Sequence, residues 1–207
     1  MVKKSSAHYQ REFRKRLRDK GFVKKEVWIL PENASRLLAF EKQLRMTVTT
    51  TTDKGVGVMT TNNSKWTTIQ LYEALNISDL SKEGQASIEI IEGIEPSLQI
   101  IMHEYGDLPI FVTVSGEQII AESVLWPASD VPDRNLFNDV ILRSHKYFPL
   151  SSISLDKESD GEDYYQMFGA LHATSTLDDV LFEIDTLASN VIQATEAYNQ
   201  YFNSTTL

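Results

Sequence analysis

The sequence predicts an α+β fold: an antiparallel sheet with flanking helices, preceded by a small helix–strand–helix N-terminal module. Three observations predict it. Short β-like segments between 87 and 126 are joined by turns at Gly106-Asp107 and Ser115-Gly116-Glu117, too short for anything but antiparallel pairing. Helical spacing appears at 66–75, 133–148 and 175–202, outside that run, so helices and strands are segregated. Charge also divides the chain. Residues 1–45 hold 13 Lys/Arg against 5 Asp/Glu and the remainder 7 against 24, within a net charge of −9. A basic head on an acidic body points to modules with different partners.

The head spans 1–45. Ala7–Lys20 reads as a helix with Tyr9, Phe13 and Leu17 on one face and Gly21 at its C-terminal cap. Phe22–Leu30 reads as a strand with Lys24 and Lys25 on opposite faces; Pro31 ends it, and Glu32–Arg45 returns to helical spacing. A single short strand cannot stand alone, so pairing with a second copy would make a ribbon and a homodimer. The run Lys24-Lys25-Glu26-Val27-Trp28-Ile29-Leu30-Pro31 and the helix after it resemble the ribbon-helix-helix repressors and the related antitoxin-type head. That resemblance implies a ribbon in the DNA major groove. The second helix of that family is not evident, because a Thr-rich stretch follows. Arg11, Arg14, Lys15, Arg18, Lys24 and Lys25 are then candidate contacts to nucleic acid or to an acidic partner. The same charge also fits docking on the acidic body of this chain or of a second copy, or an anionic membrane surface.

Residues 46–65, rich in Thr, Gly, Asn and Ser, read as a linker. Gly55-Val56-Gly57 lacks both the third glycine of a dinucleotide fingerprint and the Gly-Lys-Ser/Thr end of a nucleotide-binding loop. The acidic body spans 66–207. It reads as a helix at 66–75, a polar loop at 76–85, strands at 87–91, 98–103, 108–114 and 119–126, and a helix at 133–148. A hairpin of 151–155 and 163–171 turns at Asp160-Gly161. Two of the strands are apolar almost throughout, which predicts cover on both faces or a place at an interface. The closing helix, from about Ser175 to Phe202, repeats Leu177, Leu181, Ile184, Ala188, Val191, Thr195, Tyr198 and Phe202 at steps of four and three. Ser175 is its expected cap, with Asp178 and Asp179 in the first turn.

Three runs of the body, Gly106–Ile119, Phe168–Leu177 and Glu183–Tyr198, resemble the bacterial YjfI-type domain, a family without an established activity. The resemblance covers about Trp66 to Phe202. It implies an order of elements similar to secretion-chaperone-like folds, which bind proteins and often dimerise. It also implies a PspA-type envelope-stress protein as partner, by association. The basic head lies outside the shared domain.

Composition narrows the chemistry. The absence of cysteine excludes disulfides, thiol catalysis and cysteine-ligated metals. No apolar run reaches bilayer length, and the basic N-terminus lacks the apolar run of a secretory signal, so a cytoplasmic protein is expected. Asp156–Glu162 has the early rhythm of a calcium loop, but Met167 stands where its closing glutamate belongs, and a hairpin turn fits better. His8, His103, His145 and His172 form no pair at metal-ligand spacing. Ser115-Gly116 and Ser144-His145 lack a nucleophile elbow, and His103, Glu104 and Glu122 cluster only if adjacent strands align. No catalytic, cofactor or metal residue is therefore assigned. Trp126, Tyr198 and Phe202 are the candidate protein-partner surface. The expected protein is a non-enzymatic, dimeric adaptor or regulator. The alternatives are a DNA-binding regulator using the basic head and an enzyme of unknown chemistry.

Overall fold

Short turns between alternating segments fold residues 86–127 into an antiparallel meander of β1 (Ala86–Ile91), β2 (Ser97–Met102), β3 (Leu108–Ser115) and β4 (Gln118–Pro127). The hairpin of β5 (Ser152–Lys157) and β6 (Asp163–His172) joins through β6, giving a six-stranded sheet in the order β1-β2-β3-β4-β6-β5. The α+β prediction agrees with this architecture. The structure, a computed structural model, describes residues 5–22, 24, 37, 65–93 and 95–202. The expected ribbon strand, second head helix and linker therefore lie outside the described residues, apart from Phe22, Lys24, Leu37 and Lys65. No described helix is long and apolar enough to cross a membrane.

Helices α1 (Ser6–Asp19), α2 (Thr68–Asn76), α3 (Asp79–Lys82), α4 (Arg134–Ser144) and α5 (Leu177–Ala197) surround one core. The register sets which strand residues enter it: Leu98, Ile100, Leu108, Ile110, Val112, Ile119, Ala121 and Met167 are buried, while their neighbours on the same strands point away. Pro109 has no N–H to give β4, and the β3–β4 pairing stops at Phe111↔Glu122. The Ser123 hydroxyl takes the Pro109 carbonyl instead, at 2.8 Å.

The closing helix starts one residue later than the sequence reading expects. The Ser175 N–H bonds the His172 carbonyl at 2.9 Å, which leaves Thr176 extended as the N-cap. Its hydroxyl accepts from the Asp179 N–H at 3.2 Å, and Asp179 accepts from the Thr176 N–H at 3.0 Å, a reciprocal capping box. The buried stripe centres on Val180, Ile184, Leu187, Val191 and Ala194; Leu177 and Leu181 are only half-buried. It also takes in two polar residues. Asn190 is satisfied, donating to the Pro149 carbonyl at 2.8 Å and the Ser151 hydroxyl at 2.9 Å. Glu183 is not: it is 2% exposed and its Oε1 has no hydrogen-bond partner. It lies against Gly169 of β6, where an added Cβ would overlap the carboxyl.

Burial pushes the Glu183 carboxyl above its ordinary value. A raised folded-state pKa gives full stability below the unfolded-state value and loses it as pH rises, because the unfolded chain ionises more readily. Glu183→Gln should therefore unfold at a higher temperature than the parent at pH 8. The gap should close toward about pH 4, near the unfolded-state pKa. Thermal midpoints across that range measure it.

Candidate functional site

Alternation along β4 sends Ile120, Glu122 and Val124 to the face opposite the core. Register places Phe111 of β3 and Phe168 of β6 on either side of Glu122, and Thr113 and Ala170 on either side of Ile120. Ile101 and Pro109 extend the apolar area toward β2. All of these are half-buried or better except Ala170, which is exposed. Among the described residues no helix packs on this face, because the helices share the core on the other side. Glu122 is thus a carboxylate set among apolar side chains. Burial first, and then the negative charges of Asp156 and Glu158, push its carboxyl upward.

The rim of this face carries a hydrogen-bonded relay. Ser87 lies two residues after Gln85, whose carbonyl accepts from the His103 N–H at 2.8 Å. That brings the Ser87 hydroxyl 2.7 Å from His103 Nε2, while His103 Nδ1 lies 2.7 Å from Asp107 Oδ1. The connectivity is that of a nucleophile, a base and an orienting carboxylate. Its surroundings differ from those of a working triad. His103 and Asp107 side chains are 38% and 50% exposed, and the second oxygen of Asp107 accepts from Arg16 at 2.6 Å. The Arg16 hydrogen bond, helped by His103 and opposed by burial, holds the Asp107 carboxyl below its usual range.

Arg16 belongs to α1, which docks beside this rim. Gly106, at φ 81°, allows the approach: a Cβ there would lie 2.6 Å from the Tyr9 carbonyl and 3.2 Å from the Phe13 nitrogen. Phe13 stacks on Tyr105 with ring centroids 5.5 Å apart, and Arg16 also donates to the His103 carbonyl. Further pairs are Lys20–Glu104 at 3.4 Å, Arg14–Glu196 at 3.1 Å and Lys24–Glu196 at 3.1 Å. Burial works upward on Glu196, but Lys24 and Arg14 outweigh it and hold its carboxyl low.

The head residues singled out in the sequence are thereby sorted. Arg14 and Lys24 meet Glu196, whereas Arg11, Lys15 and Arg18 are exposed, one helical face apart from the docked side. Lys25 lies outside the described residues. Trp126 and Tyr198, expected on a partner surface, are 2% and 3% exposed. They form an aromatic cluster with Phe137 and Phe202, and the Trp126–Phe202 centroids are 4.8 Å apart. Beside it, Tyr198 joins Ser144, Tyr147 and Phe148 in lining a cavity of about 250 Å³. Phe202 is half-buried. His103, Glu104 and Glu122 do not come together as an acid–base cluster: Glu104 pairs with Lys20 and His103 with Ser87 and Asp107. The calcium-like stretch is a hairpin turn in which Asp160 accepts from the Glu162 N–H at 2.9 Å. Among the described residues no group of three His, Asp or Glu is placed to hold a metal ion.

The sheet and the helices that follow α1 correspond to a known family. Residues 65–202 match the model described as "Uncharacterized protein conserved in bacteria (DUF2170)". The chain belongs to this family. The uncharacterized protein YjfI of Escherichia coli strain K12 is 37% identical over 107 residues, which cover 52% of this chain and 80% of YjfI. YjfI of strain O157:H7 matches equally. Among solved structures, YbjN of E. coli aligns at a TM-score of 0.46 and 14% identity over 66% of this chain and 96% of its own. An uncharacterized protein of Methanothermobacter thermautotrophicus aligns at 0.44 and 13% over 60% and 94%. The family match begins after α1, so the docking of α1 is built from residues outside the shared domain and residues inside it.

Gly106→Ala tests that docking. The left-handed backbone alone should cost about 1–2 kcal/mol, and the added Cβ meets the α1 backbone. Amide exchange in α1 should quicken by roughly tenfold or more, while exchange in α5 changes less. Equal acceleration in both helices would show that α1 does not open separately.

Proposed function

We propose that the chain is a non-enzymatic adaptor that binds a protein partner through the face of its sheet opposite the helices. The observation that carries this reading is the row Phe111–Glu122–Phe168, flanked by Ile120 and Val124, on a face that no described helix covers. Apolar area of this kind, bordered by polar groups, marks interaction surfaces on globular proteins. The YjfI-type resemblance makes a PspA-type envelope-stress protein the first partner to try. The DNA-binding alternative draws less support. Part of the cationic head is already matched to carboxylates of its own chain, and the rest of the chain repels phosphate.

Affinity-tagged chain expressed in a native host, beside a Phe111→Asp variant, tests the adaptor reading. A partner retained by the parent and lost by the folded variant is expected. Equal recovery with both would overturn the use of this face.

The relay favours a second reading, in which Ser87 attacks an activated acyl group with His103 as base. A fluorophosphonate probe separates the two. The adaptor reading expects no more labelling of the parent than of Ser87→Ala. Labelling that disappears with both Ser87→Ala and His103→Ala would establish the enzyme reading instead.

A further inference from the structure

The chemistry of the partner can be read from the same face, an inference that rests on the adaptor reading. Glu122 is an ionisable residue surrounded on four sides by apolar ones: Phe111 and Phe168 across the strands, Ile120 and Val124 along its own. A purely apolar partner would cover that carboxylate and leave it without water or counter-charge, which costs free energy whether the group stays ionised or takes up a proton. A second copy of this chain fares worse. A two-fold contact centred on the row would bring two Glu122 side chains together, both already disfavoured in the charged form by burial and by Asp156 and Glu158. A cation removes both problems.

The dimensions favour a helix. Two strand spacings across the row come to about 10 Å, the width of one α-helix, and Ile120 to Val124 spans roughly 14 Å along the strand. We propose that this face docks an amphipathic helix of a partner protein, whose apolar stripe is interrupted by one lysine or arginine that lands on Glu122. Phe111, Phe168, Ile120 and Val124 bury the stripe, and the cation satisfies the carboxylate among them. Specificity then comes from the buried charge, because a helix lacking the cation leaves Glu122 unpaired.

The test uses the full chain and two labelled helical peptides of about 18 residues, about 27 Å long. They are identical in their apolar face except for a central Lys in one and a central Glu in the other. Fluorescence anisotropy should give the Lys peptide roughly tenfold tighter binding to the parent. Glu122→Lys should reverse the preference, and the nearly isosteric Glu122→Gln should abolish it, so a poorly folded Lys variant leaves the Gln variant decisive. A Lys preference that survives both substitutions would trace to the net acidity of the chain and overturn the proposal. So would equal affinities in the parent, or no binding of either peptide. Light scattering of the free chain covers the remaining occupant: a dimer that separates on Phe111→Asp would put a second copy on this face and overturn the proposal. Failure with the peptides, alongside a native partner still lost in Phe111→Asp, would reject the cationic helix and leave the adaptor reading standing.

Discussion

A sheet has two faces, and the described part of this chain supplies helices to only one of them. That constraint organises the molecule. The 21-residue α5 lies under β4 and β6, with α2 beside β1 and β2, and the aromatic residues of α4 and β4 fill the remaining end. Every strand then has an inner set of residues fixed by burial and an outer set free to be chosen for something else. On β3 and β4 that outer set is still apolar, apart from a few polar residues. A surface selected only for solubility would alternate toward charge on these strands. This one stops short of that, and the one carboxylate at its centre is placed where water reaches it poorly.

The second constraint is the turn at Gly106. A helix can pass over it only because no side chain projects there, and α1 uses the opening to bring Phe13 onto Tyr105 and Arg16 onto Asp107. The four ion pairs that frame this contact are exposed, so each contributes little by itself. The apolar stack and the close backbone approach do more to define the position of α1, while the charges define its orientation. Docking also divides the helix electrostatically. Cations on the inner side are matched within the molecule, and Arg11, Lys15 and Arg18 leave their field outside it.

Much of the fold was legible in the sequence because its signals are local. Gly106-Asp107 and Gly116-Glu117 mark turns by themselves, and the α5 stripe repeats over enough turns to be read directly. Boundaries failed where a tertiary bond decides them, as when the His172 carbonyl takes the Ser175 N–H and moves the cap to Thr176. The site was less legible, for three different reasons. Apolar residues on both faces of β3 and β4 hide which set is inward, so Glu122 is read from the sequence as a partner for His103 and Glu104 across aligned strands rather than as the centre of an apolar face. Trp126 and Tyr198 carry the chemistry of interface anchors, yet edge-to-face contact with Phe137 places them in the core. The Ser87–His103–Asp107 relay joins one residue of β1 to two residues of the turn between β2 and β3. His103 and Asp107 have helical spacing, which is visible in sequence, but Ser87 joins them only through the β1–β2 register.

Glu122 and Glu183 show what the one-sided architecture does to the same chemical group. They sit on opposite faces of nearly the same spot, since Glu122 pairs with Phe168 and the next residue, Gly169, meets Glu183. Burial raises both carboxyls. Glu183 is sealed between α5 and β6, so no mobile cation reaches it, and a proton is the remaining way to relieve its charge. Its strain stays inside the molecule and shows up as stability lost when pH rises. Glu122 has the same difficulty on the side that no described helix closes, where relief can arrive from another molecule. A buried carboxylate is a cost in a core and a basis for discrimination at an interface. Which of the two it becomes is decided here by the side of the sheet on which the helices fall.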